Sequence, residues 1–579
     1  MATEIRRRAP GSGLTPIRDL HPVLSRVYSA RGVRCAEDLD LSLERLLPVS
    51  SLEGVEPAVE LLAAHRASGR VLVVGDFDAD GATGSALLVR AMRSLGFAHV
   101  DFLVPNRFRF GYGLTPGIVA LAAQRRPSLI VTVDNGVSSI EGVEAARALG
   151  IPVLITDHHL PGAKLPAADA IVNPNLAGAT FASPALSGVG VAFYVVAALA
   201  RAVPGTQFRP ADLLDLVALG TVADLVPLDR NNRVLVAQGL RRMRAGRCVP
   251  GIRALLELAG RRLERLTAAD LGFIVAPRLN AAGRLSDMSV GIECLLADDE
   301  ARARALAAEL TRLNEERREI EQRMQAEATE LAATVRFDDE SGSETLGLCL
   351  FDESWHQGVV GLVAGRVKDR FHRPVVAFAR AEDGSLRGSA RSVAGIHIRD
   401  VLDAIAARHP GLIEKFGGHA MAAGMTLPES SLDGFRRAFA EEISARADAD
   451  SLAGVILSDG KLLAAELSLD TARVLRGAGP WGQGFPEPIF DGRFRVADLR
   501  VVGGRHLKMR LRASEDAAGV SGAGMGAPLD AISFGYVGGG SEDPALEAGA
   551  TMELAYRLEV NEYDGAEQVQ LNCRHFTLR

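Results

Sequence analysis

Acidic and imidazole side chains follow apolar runs at three points of the chain, and one further carboxylate stands in a later apolar segment. They are Asp76, Asp78 and Asp80 in DFDADG, Asp134 in VTVDNG, Asp157, His158 and His159 in ITDHH, and Asp224 in GTVADLVPL. Four or more clustered carboxylates are electrostatically unfavourable unless a cation lies among them. Mixed carboxylate and imidazole ligands suit Mn²⁺ and also accept Mg²⁺. Because a carboxylate shared between two ions is the usual basis of two-metal phosphoester hydrolysis, these residues predict that chemistry.

The DFDADG segment also matches the opening of a calcium-binding EF-hand loop. Such a loop needs a bidentate Glu at its twelfth position, where this chain has Leu87. An EF-hand loop also follows a helix, whereas an apolar strand-like run precedes Asp76. We therefore exclude a calcium-sensor loop. Alone, the segment is also compatible with a solvated acidic turn, and only its combination with the other segments favours a metal site.

Five apolar runs must position these residues. They are VLVVGDFDADG (71–81), HVDFLVPNR (99–107), SLIVTVDNG (128–136), IPVLITDHH (151–159) and ADAIVNP (168–174). Continuous β-branched runs that alternate with helical stretches predict an α/β fold with a parallel sheet covered on both faces. Functional residues of such sheets lie beyond the carboxyl ends of the strands, which is where these Asp and His residues fall.

The rest of the chain predicts further domains. Residues 301–335 form a long amphipathic pattern that predicts a connector helix of roughly 50 Å, able to hold two domains apart. A second, smaller α/β region begins near Leu346, and short strands from about Ile456 predict a C-terminal all-β barrel with an OB-fold. The predicted boundaries are a lead-in (1–65), a catalytic domain (66–245), a helical region (246–340), a second α/β domain (341–454) and the barrel (455–579). A truncation after about Gly454 should therefore leave the metal site intact.

Composition excludes several classes of protein. The chain has 579 residues and a formal net charge of −7, so it is not a globally basic nucleic-acid binder, although a local basic channel is possible. Its five cysteines show no CxxC spacing, which argues against a disulfide scaffold or zinc ribbon and fits a reducing cytoplasm. The apolar stretch Val189–Ala200 is too short for a membrane span and predicts a buried helix. We expect a cytoplasmic protein with no membrane segment.

The order DFDADG, VTVDNG, ITDHH, GTVADLVPL resembles the DHH phosphoesterase superfamily. Later motifs are similar to those of one branch, the RecJ family of bacterial single-strand-specific exonucleases: PNRFRFGYGL, PRLNAAGRL, WHQGVVGLVAGRV, GSARSVAGIHIRD, KFGGHAMAAG and WGQGFPEPIFDG. The resemblance runs from about residue 65 to the C-terminus. Phe77 stands where Tyr is common, Arg109 and Phe110 alter the usual acidic FEDGYG pattern, and residues 513–530 form a longer loop than is typical.

The resemblance implies roles for the clustered residues. Asp78, Asp134, His158 and Asp224 would hold the first metal ion, and Asp76 the second, with Asp134 bridging the two. His159 would lie close to the scissile phosphate. Asp157 would orient the histidines through a hydrogen bond. Asp80 would be either a weak ligand or an acceptor that orders the loop.

The resemblance also implies contacts to nucleic acid. Ser389 and Arg391 would hold the terminal phosphate in a DHHA1-like domain, and backbone N–H groups of the glycine-rich turn at Gly418 and His419 would approach an anion. Further phosphate contacts would come from Arg107, Arg278 and Arg284, for each of which a surface ion pair is the alternative. Tyr112, Trp355 and Phe371 could stack on bases, although core packing is the better prediction for each. On the barrel, basic residues largely alternate along a predicted strand, so several of them share one face that could bind a single strand: Arg505, His506, Lys508, Arg510 and Arg512. A plain half-exposed strand is the alternative interpretation.

The function implied is a single-stranded-DNA-specific exonuclease that works from the 5′ end by a two-metal mechanism in recombination and repair. The expected partners are single-stranded DNA, a single-strand-binding protein and a repair helicase, and we expect a monomer. One alternative is a DHH phosphodiesterase acting on short oligonucleotides or cyclic dinucleotides, or a pyrophosphatase. Such enzymes resemble only the first two domains, whereas the barrel favours a long polymer. A second alternative is a DNA-binding clamp whose catalytic site has decayed. The intact set of carboxylates and histidines argues against it.

Overall fold

The computed structural model describes residues 3–9, 11, 15, 17–106, 110–335, 346–448, 451–514, 527–536, 546–563 and 565–579. They form two compact units. The first unit comprises Gly11–Glu315 and Arg476–Glu487, and the second unit comprises Met1–Pro10, Glu316–Leu475 and Pro488–Arg579. Arg107, a predicted phosphate contact, lies outside the described residues, as do Arg109 and residues 515–526 of the 513–530 loop.

The strands and helices have the following bounds. The strands are β1 (Glu4–Arg7), β2 (Arg70–Gly75), β3 (His99–Leu103), β4 (Leu129–Val133), β5 (Val153–Thr156), β6 (Ala170–Val172), β7 (Leu348–Phe351), β8 (Val375–Arg380), β9 (Ser385–Arg391), β10 (Lys415–Gly418), β11 (Ala422–Pro428), β12 (Val455–Ser458), β13 (Phe490–Val502), β14 (His506–Ala513), β15 (Leu529–Ser533), β16 (Thr551–Tyr563) and β17 (Ala566–Leu578). The α-helices are α1 (Pro22–Ser29), α2 (Val55–Ala64), α3 (Ala79–Ser94), α4 (Pro116–Gln124), α5 (Ile140–Ala148), α6 (Gly188–Ala202), α7 (Leu214–Ala223), α8 (Arg230–Arg244), α9 (Pro250–Leu258), α10 (Ala268–Asp270), α11 (Ala276–Leu285), α12 (Ser289–Leu296), α13 (Glu300–Val335), α14 (Val360–Phe371), α15 (Ile398–Arg408), α16 (Leu432–Arg446) and α17 (Leu469–Gly477).

The first unit is built on a five-stranded parallel sheet in the order β3-β2-β4-β5-β6. One face packs on α4 and α5 through an apolar cluster that includes Leu72, Ile130 and Ile155. On the other face α3 lies so close that a Cβ at Gly84 would be 2.5 Å from a methyl group of Val133. The predicted parallel sheet, covered on both faces, is confirmed. Strands β2, β4 and β5 end just before Asp76, Asp134 and Asp157, so these residues leave the sheet as loops at its carboxyl edge.

Two helices of the first unit contain the apolar segments singled out in the sequence. The uncharged stretch Val189–Ala200 lies within α6, and most of its side chains are buried. The GTVADLVPL segment ends α7, whose residues 214–221 are all buried. Within the described residues, no helix is long and apolar enough to cross a membrane. The charged pattern at 301–335 is confirmed as one continuous helix, α13, of 36 residues and roughly 54 Å.

The second unit contains a mixed sheet in the order β10-β11-β9-β8-β7, in which only β7 and β8 are parallel to each other among its neighbouring pairs. An apolar core on one side joins this sheet to α15 and α16, with Phe435 and Phe439 stacked at 5.7 Å. Strands β13 to β17 form a closed five-stranded barrel that begins at Phe490. The predicted second α/β domain and C-terminal barrel are therefore both present.

The lead-in pairs with a segment far along the chain. Strand β1 lies parallel to β12, with Glu4 opposite Val455, and the Arg7 guanidinium donates two hydrogen bonds of 2.7 and 3.0 Å to Asp491. Residues 455–489 thus contain β12 and α17 before the barrel begins. No sequence pattern indicated this pairing, because a four-residue edge strand has too little periodicity to identify its partner.

Candidate metal centre

The DFDADG loop turns the chain from β2 into α3. Asp78 caps α3, where its Oδ1 atom accepts hydrogen bonds of 3.0 Å from the N–H groups of Asp80 and Gly81. Asp80 is buried, and its two oxygens accept from the N–H groups of Gly188 (2.6 Å) and Val189 (3.0 Å) at the start of α6. Of the two roles open for Asp80, these contacts favour the acceptor that orders the loop.

Asp134 stands at the centre of the cluster. It follows β4 with a φ of +63°, a left-handed conformation that non-glycine residues adopt at a cost. Gly188 packs directly against it, since a Cβ at that position would lie 2.5 Å from the Asp134 Cβ. The Nε2 atom of His158 is 3.0 Å from Oδ1 of Asp134 and 3.5 Å from Oδ2 of Asp224. Residues from two strand ends and one helix end therefore meet at one edge of the sheet.

Asp157 holds the two histidines in place. Its Oδ1 atom accepts from the backbone N–H groups of His158 (2.8 Å) and His159 (3.1 Å) and lies 2.7 Å from Nδ1 of His159. Its Oδ2 atom accepts from the N–H of Val137 at 2.9 Å. Burial alone would raise the pKa of Asp157, but these hydrogen bonds bring it below its ordinary value. This geometry is that of a residue orienting the histidines.

The cluster concentrates several buried carboxylates whose negative charges repel one another. Burial, followed by the charges of neighbouring carboxylates, raises the pKa values of Asp80 and Asp134 well above their ordinary range. Burial and the charge of Asp78 raise the pKa of Asp224 to about 7. Burial opposes protonation of His159, but its hydrogen bond to Asp157 and the nearby carboxylates raise its pKa to about 9. Divalent cations would relieve this concentration of negative charge, so the residues present fit them.

Three groups of side chains are close enough to hold a metal ion, each with its ligand atoms within 4.8 Å of one another. They are Asp76, Asp78 and Asp134; Asp134, His158 and His159; and Asp80, His158 and Asp224. Asp134 belongs to two of them, so its carboxylate is placed where two ions could share it. The structure thus brings together the whole predicted set of carboxylates and histidines.

Two contacts to the cluster were missed from the sequence. The Tyr112 hydroxyl donates to the backbone carbonyl of Asp134 at 3.0 Å and lies 3.2 Å from Nδ1 of His159, whereas the sequence suggests only base stacking or core packing for Tyr112. Asn280 of α11 accepts from the N–H of Ala79 at 2.8 Å. Both residues lie in motifs quoted above, PNRFRFGYGL and PRLNAAGRL, so motif membership was the available signal.

Arg278 and Arg284, predicted to contact phosphate, flank Asn280 on the same helix. The Arg278 guanidinium donates to the carbonyl of Ile274 at 2.7 Å. Between the two arginines, Gly283 approaches the DFDADG loop so closely that a Cβ there would lie 1.9 Å from the carbonyl oxygen of Phe77. The helix that carries both arginines is therefore packed on the loop that carries Asp76 and Asp78.

The residues predicted to hold a terminal phosphate lie in the second unit. The Arg391 guanidinium donates to the Ser389 hydroxyl at 3.0 Å, and burial lowers its pKa. Gly361, in the first turn of α14, leaves room for both: a Cβ there would lie 2.9 Å from Ser389 Oγ and 3.0 Å from Arg391 Nη2. A helix N-terminus, a hydroxyl and a buried guanidinium thus converge, which is a chemistry suited to an anion.

The glycine-rich segment around Gly418 and His419 was predicted to be a turn, but part of it is a strand. Gly418 ends strand β10 with a φ of +142°, and the turn proper begins at His419. The backbone N–H of His419 donates to the carbonyl of Ala422 at 2.8 Å. That N–H closes the hairpin and is not available to an anion, so any role of His419 falls to its side chain.

On the barrel, β14 alternates as predicted. Leu507, Met509 and Leu511 are buried, while the basic side chains between them lie on the outer face. The carboxylate of Asp530 lies 3.5 Å from Nζ of Lys508 and 4.0 Å from Nε of Arg510. It therefore offsets part of the positive charge on this face. Of the other aromatic candidates, Trp355 is buried and donates to Glu327 at 2.9 Å, as core packing predicts.

Comparison with known proteins identifies the family. Family models match for the DHH family N-terminal domain (residues 70–221), the DHHA1 domain (344–445) and the RecJ OB domain (458–575). The chain is 51 % identical over 587 residues to the single-stranded-DNA-specific exonuclease RecJ of Escherichia coli, with 98 % of each chain covered. This chain belongs to the RecJ family. The resemblance found in the sequence motifs is therefore confirmed, as is the predicted combination of DHH, DHHA1-like and OB-fold parts.

Solved RecJ structures share the fold. The crystal structure of RecJ from Thermus thermophilus in complex with Mn²⁺ is 30 % identical, has a TM-score of 0.80, and the match covers 99 % of this chain and 79 % of that one. The corresponding complex with Mg²⁺ is 29 % identical with a TM-score of 0.74, over 99 % and 78 % of the two chains. The two metals in these RecJ complexes are the two that the carboxylate and imidazole set suggests.

Proposed function

We propose that this chain is a metal-dependent exonuclease that hydrolyses single-stranded DNA from its 5′ end, with Mn²⁺ or Mg²⁺ held by the Asp and His cluster. The observation that carries the proposal is the shared position of Asp134, whose carboxylate belongs to the group with Asp76 and Asp78 and also to the group with His158 and His159. Membership of the RecJ family, whose named relatives are single-stranded-DNA-specific exonucleases, supports the substrate.

The proposed ligands divide around Asp134. The first ion is assigned to Asp78, Asp134, His158 and Asp224, and the second to Asp76 with Asp134 shared. Asp76, Asp78 and Asp134 lie within reach of one ion, and His158 lies close to both Asp134 and Asp224. When bound, the cations activate a water molecule for attack at phosphorus and neutralise charge on the phosphoryl oxygens. The protein holds the ligands in place beforehand, through the cap made by Asp78 and through the contact of His158 with Asp134 and Asp224.

His159 is proposed to act on the phosphate itself. Its Nδ1 atom is directed to Asp157, and its pKa of about 9 keeps the imidazolium protonated at neutral pH. A protonated ring can donate a charge-assisted hydrogen bond to a phosphate oxygen or a proton to the leaving group. Cations bound nearby would lower this pKa and bring it closer to the range useful for proton transfer.

Recognition of the strand is proposed for the second unit. Arg391 and Ser389 would take the terminal phosphate, which carries more negative charge than an internal diester and suits the planar guanidinium. The basic outer face of β14 would contact backbone phosphates of the strand. A single-strand-binding protein, a repair helicase, a cytoplasmic location and a monomeric state are the accompanying proposals.

Digestion of end-labelled strands tests the proposal. Full-length protein is incubated with 5′-labelled and 3′-labelled single strands, a duplex, dinucleotides and pyrophosphate, each with Mn²⁺, Mg²⁺ or a chelator. We expect early release of the 5′ label as mononucleotide, slow reaction on the duplex, and no reaction with the chelator. Early release of the 3′ label would contradict the polarity. Rapid hydrolysis of dinucleotides or pyrophosphate with long strands left intact would favour the short-substrate phosphodiesterase instead.

A further inference from the structure

The segment Arg476–Glu487, which we call the strap, contains the first seven residues of the motif WGQGFPEPIFDG and packs within the first unit. Trp481 and Phe485 stack at 5.3 Å, and the ring of Tyr28 lies about equally far from both, at 6.0 and 6.1 Å. The Tyr28 hydroxyl donates to the carbonyl of Ala478 at 2.7 Å. The guanidinium of Arg233 lies 4.3 Å from the centre of the Phe485 ring. Phe485 is almost completely buried by these contacts.

The tip of the strap is a tight turn that meets the segment after α7. Gly482 and Phe485 exchange backbone hydrogen bonds of 3.0 and 3.2 Å, and Gly484 supplies the left-handed conformation of the turn, with a φ of +72°. The carbonyl of Gln483 accepts a 2.7 Å hydrogen bond from the N–H of Leu228. A Cβ at Gly482 would lie 2.6 Å from a methyl group of Leu228, so any side chain there would displace that methyl group.

Leu228, which the strap contacts, belongs to a segment of residues 224–229 that begins with a proposed metal ligand. Asp224 is the C-cap residue of α7, and Leu225 follows with a φ of +60° and a side chain that is 69 % exposed. The middle of the segment therefore has little packing of its own. Its far end is held by Asn232, whose amide donates to the carbonyl of Pro227 at 2.9 Å, by Ser183, whose hydroxyl donates to Asp229 at 2.6 Å, and by the strap.

We propose that the strap is a positioning element for Asp224. The hydrogen bond from Leu228 to Gln483, and the close packing of Gly482 on Leu228, fix the far end of the 224–229 segment and so set where the Asp224 carboxylate meets His158. This inference rests on the proposed function, because it takes Asp224 to be a metal ligand. It assigns a role to the first part of the WGQGFPEPIFDG motif, which contributes no proposed metal ligand or phosphate contact.

The inference leads to a different expectation from one made from the sequence. The domain pattern predicts that a truncation after about Gly454 leaves the metal site intact. Such a truncation would remove the whole strap, together with the stacking partners of Tyr28 and the acceptor for Leu228. The domain pattern did not reveal this, because the strap is a short segment without periodicity that lies, along the chain, between elements of the other unit.

Titration of the metal-free, full-length protein with Mn²⁺ tests the inference. The wild type should bind two ions, and Asp224→Ala should weaken one of them. Gly482→Val forces Leu228 to move, so it should weaken that same ion by about tenfold or more, as loss of an outer support of a ligand typically does, and leave the other unchanged. Replacing Leu228 as well, in Gly482→Val with Leu228→Ala, should restore much of the affinity by making room for the valine.

Gly477→Val is the matched control, since a Cβ at Gly477 meets no atom within 4 Å. It should bind both ions like the wild type. If Gly482→Val does not fold, Gly482→Ala makes the same test with a smaller clash. Wild-type affinity for both ions in the Gly482 variants would overturn the inference, and so would equal weakening of both ions together with a lowered melting temperature. Unchanged Mn²⁺ binding in Asp224→Ala would instead overturn the proposed ligand set.

Discussion

The Nε2 atom of His158 lies 3.0 Å from Oδ1 of Asp134, although 24 positions separate the two residues in the chain and each follows a different strand. Because β4 and β5 are parallel neighbours in the sheet, their carboxyl ends deliver the two side chains to one point. The same carboxylate also belongs to the group with Asp76 and Asp78. Asp134 is therefore the residue on which the largest number of proposed ligands converge.

Replacing Asp134 should abolish activity without unfolding the protein. We expect Asp134→Ala to lower the hydrolysis rate at saturating metal by about a thousandfold or more, since charge stabilisation by the metals supplies several kcal/mol. Folding should survive, because the substitution removes a buried carboxylate that neighbouring carboxylates repel. Rates and far-UV circular dichroism measure the two effects. A variant with more than about a tenth of the wild-type rate would refute the assignment.

Without metal, the protein should become less stable as the pH rises from about 4 to about 7. The pKa of Asp224 is raised to about 7 in the folded state, so the folded state binds a proton there that the unfolded state has released. The stabilisation from protonated Asp224 is therefore fully present below the pKa that this residue has in the unfolded state. It is lost as the pH rises through the pKa of the folded state, by up to about 1.4 kcal/mol per pH unit for one proton. Denaturant unfolding at several pH values measures this slope. It should be smaller in Asp224→Asn, and an equal slope in that variant would assign the effect to other groups.

Asp157→Asn should separate catalysis from metal binding. The substitution removes the negative charge from the acceptor of the His159 Nδ1–H and so lowers the pKa of His159, which we expect to reduce the turnover rate by about 10–100-fold. Mn²⁺ affinity should change less, because Asp157 orients the histidines and is not a proposed ligand. Loss of Mn²⁺ binding in proportion to the rate would show that Asp157 supports the ligands as a whole.

Arg391→Ala should reduce the preference for 5′-phosphorylated over 5′-hydroxyl ends. The expected loss is about 1–3 kcal/mol, the usual contribution of a hydrogen bond to a charged group, measured as the ratio of cleavage rates on the two ends. Arg387→Ala is the control, since Arg387 lies on the same strand but donates to Thr426 and Asp383. Equal ratios in the wild type and Arg391→Ala would place the end-binding pocket elsewhere.

Charge removal on β14 should make binding of long strands less dependent on salt. We expect Arg510→Ala with Arg512→Ala to weaken binding and to reduce the slope of log K against log salt by about 0.7 for each phosphate that the protein no longer neutralises. Hydrolysis of dinucleotides should be unchanged. Fluorescence anisotropy at several salt concentrations measures the slope, and an unchanged slope would remove this face from the nucleic-acid interface.

The sequence predicted the parts of the fold that follow from periodicity. Continuous β-branched runs identified the central sheet, and polar residues at their ends identified Asp134, Asp157 and His158 as neighbours. The contacts of Tyr112 and Asn280 with the cluster were not predicted, because they join segments far apart in the chain through single hydrogen bonds. Neither hydrophobic periodicity nor the spacing of residues in a motif predicts such a contact.

Pairings between distant short segments were missed for the same reason. Strand β1 has four residues, and its partner β12 lies about 450 positions later. The strap meets Tyr28 and Leu228 by stacking and close packing, which require particular shapes and leave no repeated pattern in the sequence. Elements formed by local periodicity can be read from one chain, whereas contacts set by shape need the folded structure.

The position of the strap also has a consequence for synthesis of the protein. Asp224 leaves the ribosome about 250 residues ahead of the strap, so a nascent chain holds every proposed metal ligand long before it holds Gly482 and Phe485. Until residue 487 of 579 has emerged, the 224–229 segment lacks the acceptor for the N–H of Leu228. Unfinished and prematurely terminated chains that lack the strap would then hold the Asp224 ion more weakly than the complete protein does.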